Sequence, residues 1–135
     1  MKGDGYTVAG LDGLGEGYGF RKIRKALDVE AFGVNAIVLP PGVETGRHFH
    51  DEQEELYFVH SGVIEMEFGD GERHRLGPGG LARVAAATIR KVINPSDEDA
   101  VYLIVGGKGG YVGRDGQAPP GETSRFTAPD AGAGG

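Results

Sequence analysis

From residue 31 to residue 105 the chain alternates between short runs rich in Val, Ile, Tyr and Phe and residues that favour turns. That period suits half-buried strands and not helices. Ala31–Leu39 is apolar and stops at Pro40-Pro41-Gly42. Glu44–His50 and Glu55–His60 alternate, the second ending at Ser61-Gly62. Val63–Gly69 sets Ile64, Met66 and Phe68 on one face, with Glu65 and Glu67 on the other. Gly69-Asp70-Gly71 then predicts a tight hairpin, because glycine tolerates the positive φ that such turns need. Leu81–Val84, Ile89–Asn94 and Ala100–Val105 complete the series, and only Lys22–Glu30 could pass for a helix, a short one. Many short strands at this spacing predict an all-β sandwich or barrel.

A length of 135 residues fits one domain, and 39% hydrophobic residues suffice for a real core. The 26 glycines crowd residues 3–19 and 106–135. Gly106-Gly107-Lys108-Gly109-Gly110 is a glycine cluster after a strand, but no periodic helix follows to aim at a phosphate, so it reads as loop. Residues 107–135 are Gly/Pro/Ala-rich, the composition of a flexible tail. The balance of 14 Lys and Arg against 20 Asp and Glu, a net charge of −6, argues against nucleic acid as a partner. Zero cysteines exclude disulfides, zinc ribbons and thiol nucleophiles. The amino terminus lacks the apolar run of a secretory signal, and no segment approaches ~18 consecutive apolar residues. A soluble cytoplasmic protein without membrane contact is expected.

The chemistry concentrates in one stretch. In a strand, positions i and i+2 share a face, so His48 and His50 point the same way with Phe49 opposed. Glu55, Tyr57 and Val59 share one face of the next strand, and Leu56, Phe58 and His60 the other. If the two strands pair, two imidazoles and a carboxylate converge, a donor set that suits iron, manganese or zinc with positions left open. An isolated His-x-His is an unremarkable feature of a surface strand; the turn and the phased glutamate that follow distinguish this one.

These residues resemble the cupin superfamily. Its first motif, Gly-x5-His-x-His-x3–4-Glu-x6-Gly, is matched at every fixed position by Gly42, His48, His50, Glu55 and Gly62. The second, Gly-x5-Pro-x-Gly-x2-His-x3-Asn, falls on Gly79, Ala85, Ala87, Arg90 and Asn94, of which only Gly79 and Asn94 hold. The resemblance implies a double-stranded β-helix, or jelly-roll barrel, over residues 31–106. Residues 1–30 would form an N-terminal arm and first strand, and 107–135 the tail. It further implies a metal held by His48, His50, Glu55 and a fourth residue from the second motif, but here that position is Arg90. Arginine stays protonated and has no lone pair to offer.

Without metal, Glu55 and Arg90 cancel in charge. A divalent ion ~6 Å from the guanidinium would meet a repulsion of about 5 kcal/mol at an effective dielectric of ~20. Phase aims Arg90 inward with Val92 and Asn94. Two readings follow. In the first, a cupin without metal binds a small anionic or polyhydroxylated molecule through His48, His50, Glu55, Tyr57 and Arg90. In the second, His48, His50 and Glu55 hold a metal in an enzyme of the dioxygenase, isomerase or decarboxylase kind, with Arg90 orienting an acidic substrate. A metal-free epimerase with His48 or His50 as base would have only Tyr57 as its acid. His60 is out of phase and would need a bulge to join the site. His74, Asp51, Glu52 and Glu54 read as solvated charges. Phe49, Leu56 and Phe58 leave an apolar outward face that predicts a homodimer.

Overall fold

The computed structural model describes residues 1–107 and 116–119. Two short antiparallel pieces, β1 (Lys2–Gly3) and β2 (Tyr6–Thr7), open the chain, followed by a 3-10 turn at Leu11–Gly13. β3 (Gly19–Arg21) leads into α1 (Ile23–Leu27), one turn and a half that packs on β4 (Gly33–Leu39). The remaining strands are β5 (Phe49–His50), β6 (Glu55–Ser61), β7 (Ile64–Phe68), β8 (Arg73–Leu76), β9 (Leu81–Val84), β10 (Arg90–Ile93), β11 (Ala100–Gly106) and β12 (Gly116–Gln117). The expected hairpin joins β7 and β8, with Gly71 at φ +88°.

Five strands make one antiparallel sheet in the order β3-β4-β11-β6-β9, and three make a second, β10-β7-β8. Isolated bridges at Glu44↔Ile93 and His48↔Arg90 carry the segment before β6 along the edge of the second sheet. The inward faces enclose Ile37, Leu39, Val43, Tyr57, Val59, Ile64, Met66, Val84, Val92, Ala100 and Tyr102. Burying a side chain such as Leu39 or Ile64 contributes about 1.5–3 kcal/mol, so this apolar cluster holds the two sheets face to face. The alternation that predicted the strands is therefore the alternation that builds the core.

Three local differences from the sequence-based expectations have physical reasons. Glu44–His50 is mostly not a ladder strand: only Phe49–His50 pairs continuously, and its partner is β12, not β6. Gly116–Gln117 pairs along the edge of β5, with Gln117 also donating to Asp51 at 3.1 Å. The tail is thus anchored at 116–117. Residues 108–115 and 120–135 lie outside the described residues, as does most of the glycine cluster that begins at Gly106. Third, the pairing of β11 with β6 slips between Val101 and Tyr102, so that Ser61 and Val59 are paired and His60 is skipped. The bulge that would be needed to bring His60 to the site exists, but it leaves His60 exposed.

Candidate metal and ligand site

His48, His50 and Glu55 reach one place by different routes. The His48 backbone is locked opposite Arg90 by two hydrogen bonds, N–H to O in each direction, both 2.9 Å. The His50 N–H donates to the Ala86 carbonyl at 2.7 Å, tying that residue to the turn that precedes β10. Glu55 opens β6 on the opposite sheet and faces inward with Tyr57 and Val59, as their shared phase requires. The expected convergence is present, but across the barrel mouth and not between paired neighbouring strands.

One ligand atom from each of the three residues lies within 4.8 Å of the other two. His48 Nδ1 sits 3.1 Å from the Gly46 carbonyl, which can only accept. The proton is therefore on Nδ1 and the lone pair on Nε2, the orienting contact that ligating histidines usually have. Burial lowers the His48 pKa, and the charge of Arg90 works in the same direction, against the Gly46 contact and Glu55. The ring is neutral at neutral pH. His50 Nε2 is 3.2 Å from Glu55 Oε1, about the spacing of two adjacent ligands ~2.1 Å from one metal ion. The donor set fits a divalent cation.

Arg90 is completely buried, and its head is held from every side. Nη2 donates to Glu55 Oε1 at 2.9 Å and Nε lies 3.5 Å from the Tyr57 hydroxyl. Nη1 meets the carbonyls of Ala85, Ala86 and Thr88 at 3.3, 3.0 and 2.7 Å. The bidentate fork is thus not left to grip a ligand; it ties down the turn before β10, adding a donor to the Ala85 and Ala86 carbonyls, which also receive the Thr88 and His50 amides, and supplying one to Thr88. The Ala86 carbonyl receives both this guanidinium and the His50 amide, so Arg90 positions His50 as well as neutralising Glu55.

Burial alone would raise the Glu55 carboxyl, but His50 and Arg90, through hydrogen bonds and charge, outweigh it and bring its pKa down to about 2. Burial, reinforced by the Glu55 charge, pushes the Tyr57 phenol well above its ordinary value, so its proton stays and is donated to Glu55 Oε1 at 2.9 Å. Tyr57 stacks on Tyr102, ring centres 6.1 Å apart.

The surrounding residues take the places expected of them or show roles that spacing did not reveal. His74 is exposed beside Arg73 and Arg75, which pair with Glu65 and Glu67. Asp51 and Glu54 are exposed, and Glu54 pairs with Arg83 at 2.6 Å. Glu55 also borders a cleft of about 350 Å³ lined by Phe32, Leu56, Arg83 and Val105. Three buried polar residues were missed, Arg21, Thr45 and Gln53, since nothing in the alternation marks them as internal. Thr45 Oγ1 accepts from the Val92 N–H at 2.9 Å and so pins the histidine segment to β10. Asn94, matched to the second motif, donates to the carbonyls of Leu39 and Glu98 at 2.8 and 2.7 Å, a structural knot and not a ligand contact.

No curated protein matches the chain. Solved structures do. A chain from Silicibacter pomeroyi, described as a sugar phosphate isomerase from a cupin superfamily, is 28% identical over 83% of this chain and 76% of its own, with a TM-score of 0.62. A Cupin 2 conserved barrel domain protein from Salinispora arenicola is 27% identical over 58% of this chain and 64% of its own, TM-score 0.53. A protein from Photorhabdus luminescens is 24% identical over 58% and 63%, TM-score 0.54, a likeness of fold. The match therefore spans just under two thirds of the length of the last two. The model of the Cupin domain family matches residues 35–106, more than half of the 135 residues. With the two sheets closed as a double-stranded β-helix and both histidines and the glutamate of the first motif at its mouth, this chain belongs to the cupin family.

Proposed function

We propose that the barrel is a small-molecule binding centre in which His48, His50 and Glu55 hold one divalent metal ion. Its open positions would receive an oxygen-bearing ligand. The carrying observation is the convergence of three ligand atoms within 4.8 Å. The metal, when bound, would supply a Lewis-acid site for a ligand oxygen. The protein's own part is to present the neutral imidazole of His48, the imidazole of His50, a carboxylate ionised at any pH above about 2, and a cation, Arg90, confined to the wall. The description of the Silicibacter pomeroyi neighbour as a sugar phosphate isomerase supports a small, oxygen-rich molecule as the ligand class.

Metal analysis of protein purified without chelator, followed by Co2+ titration, tests this. One ion per chain, lost in Glu55→Gln, is the expected result; no uptake of Co2+ by the wild-type protein would refute it. A second reading has its own support in the Arg90–Glu55 pair at 2.9 Å, which neutralises the site without any ion. On that reading the pocket binds its organic ligand metal-free, and a chelator leaves binding unchanged.

A second copy of the chain is the partner we propose for the outward face of the five-stranded sheet. Leu81, Leu56 and Phe58 are 59%, 42% and 37% exposed there. The outer face of the other sheet is instead covered by ion pairs among Glu65, Glu67, Arg73, Arg75 and Lys91. Only the first surface gains by leaving water.

A further inference from the structure

Tyr102 lies on the inner face of β11 and is completely buried. Its hydroxyl is the one buried side-chain polar atom without a hydrogen-bond partner among the described residues. The buried polar groups around Glu55 are by contrast satisfied: Arg90, Glu55, Tyr57 and Thr45 all have partners. An orphaned phenol in a dry interior is costly, and Phe would fill the same space without that cost. The hydroxyl therefore calls for a function outside the packing.

Its location indicates which. Tyr102 pairs with Val59 and Tyr57 with Ile104, so the two tyrosines are diagonal neighbours on the inner surface of β6 and β11. Their rings stack at 27°, 6.1 Å between centres, and the Tyr57 hydroxyl ends on Glu55. Burial, then the proximity of Tyr57 and Glu55, raises the Tyr102 pKa well above its ordinary value, so the group is a proton donor and not a phenolate.

We propose that the Tyr102 hydroxyl donates a hydrogen bond to an acceptor oxygen, carboxylate or carbonyl, of the ligand bound beside His48, His50 and Glu55, and so helps select that ligand. This rests on the binding centre proposed above and adds a residue that neither cupin motif contains. A molecule with no acceptor oxygen within reach would leave the phenol unpaired and bind more weakly.

The test compares wild type with Tyr102→Phe using acetate as the probe. Acetate is titrated into the Co2+-loaded proteins and followed by the visible absorption of the metal, and the melting of both metal-free proteins is recorded. The expected result is an unchanged Co2+ affinity, acetate binding weakened about tenfold in Tyr102→Phe, and a melting temperature equal to or above that of the wild type. Equal acetate affinity in the two proteins overturns the proposal while the metal centre stands. A lower melting temperature for Tyr102→Phe also overturns it, because the hydroxyl would then have a structural partner. Failure of the wild-type protein to take up Co2+ refutes the centre and this inference together.

Discussion

Glu55 Oε1 receives hydrogen bonds from Arg90, Tyr57 and His50, and the charge state of that one carboxylate organises the others. Folding lowers its pKa from 4.5 to about 2. Between those values the unfolded chain binds more protons than the folded one. The resulting stabilisation, on the order of 3 kcal/mol, is complete above pH ~4.5 and is lost as the pH falls toward 2. Chemical denaturation of metal-free protein from pH 6 to pH 2.5 should show this loss in the wild type and a visibly smaller one in Glu55→Gln. Arg90→His makes the opposite change to the charge balance. It removes the buried cation and supplies a fourth lone pair at the family's ligand position. Co2+ affinity should rise at least tenfold, since even part of a repulsion of about 5 kcal/mol would be relieved. Stability should fall by about 2–4 kcal/mol, because the buried Glu55 carboxylate loses its guanidinium partner and the turn at Ala85–Thr88 loses the contacts of Nη1. Unchanged metal affinity in Arg90→His would mean that the guanidinium charge is not what limits binding.

Two elements depend on a single residue each. Gly62 turns β6 into β7 at φ +75°, and a Cβ there would lie 2.5 Å from the Asp99 carbonyl oxygen and 2.8 Å from Ala100 Cα. Both the conformation and the space demand glycine. Gly62→Ala should therefore cost roughly 2–4 kcal/mol, read as a drop in melting temperature, with the metal ligands untouched. Asn94 joins the end of β4 to the 95–98 turn by donating to Leu39 and Glu98 while its Oδ1 accepts from the Ser96 amide and hydroxyl. Asn94→Ala would strand several buried groups and should destabilise by about 2–3 kcal/mol in urea unfolding. At this scale most strands could be read from the alternation of residues, since inward and outward sets on β6, β7, β10 and β11 follow period two. The segment 44–48 could not. Its alternation is genuine, but its neighbours supply isolated bridges, the Thr45 contacts with Val92 and a Glu44–Lys91 ion pair in place of a continuous ladder, which no local pattern encodes.

For the molecule as a whole, the contrast between its two outer faces bears on assembly. One is a lattice of charges, the other apolar, with Leu56, Phe58 and Leu81 exposed. Light scattering at micromolar concentration should report a dimer, and Leu81→Glu together with Phe58→Glu should shift it to monomer without unfolding it. A wild-type monomer would contradict the proposed pairing. The described residues contain no helix long and apolar enough to cross a membrane.

From residues alone came the all-β architecture, the inward phase of Glu55, Tyr57 and Arg90, and the His48–His50–Glu55 set, because each depends on period two and on motif spacing. What Arg90 does with its charge was beyond the sequence. A long side chain entering the barrel can reach a ligand or a turn, and which one depends on where three carbonyls fall in space. The same holds for Tyr102, whose position in the alternation predicts burial but not an unpaired hydroxyl. Periodicity sets which face a side chain occupies. Its partners come from the fold: Arg90 meets Glu55 and Tyr57, more than thirty residues away, and a turn two to five residues away whose carbonyls only the folded backbone aims at it.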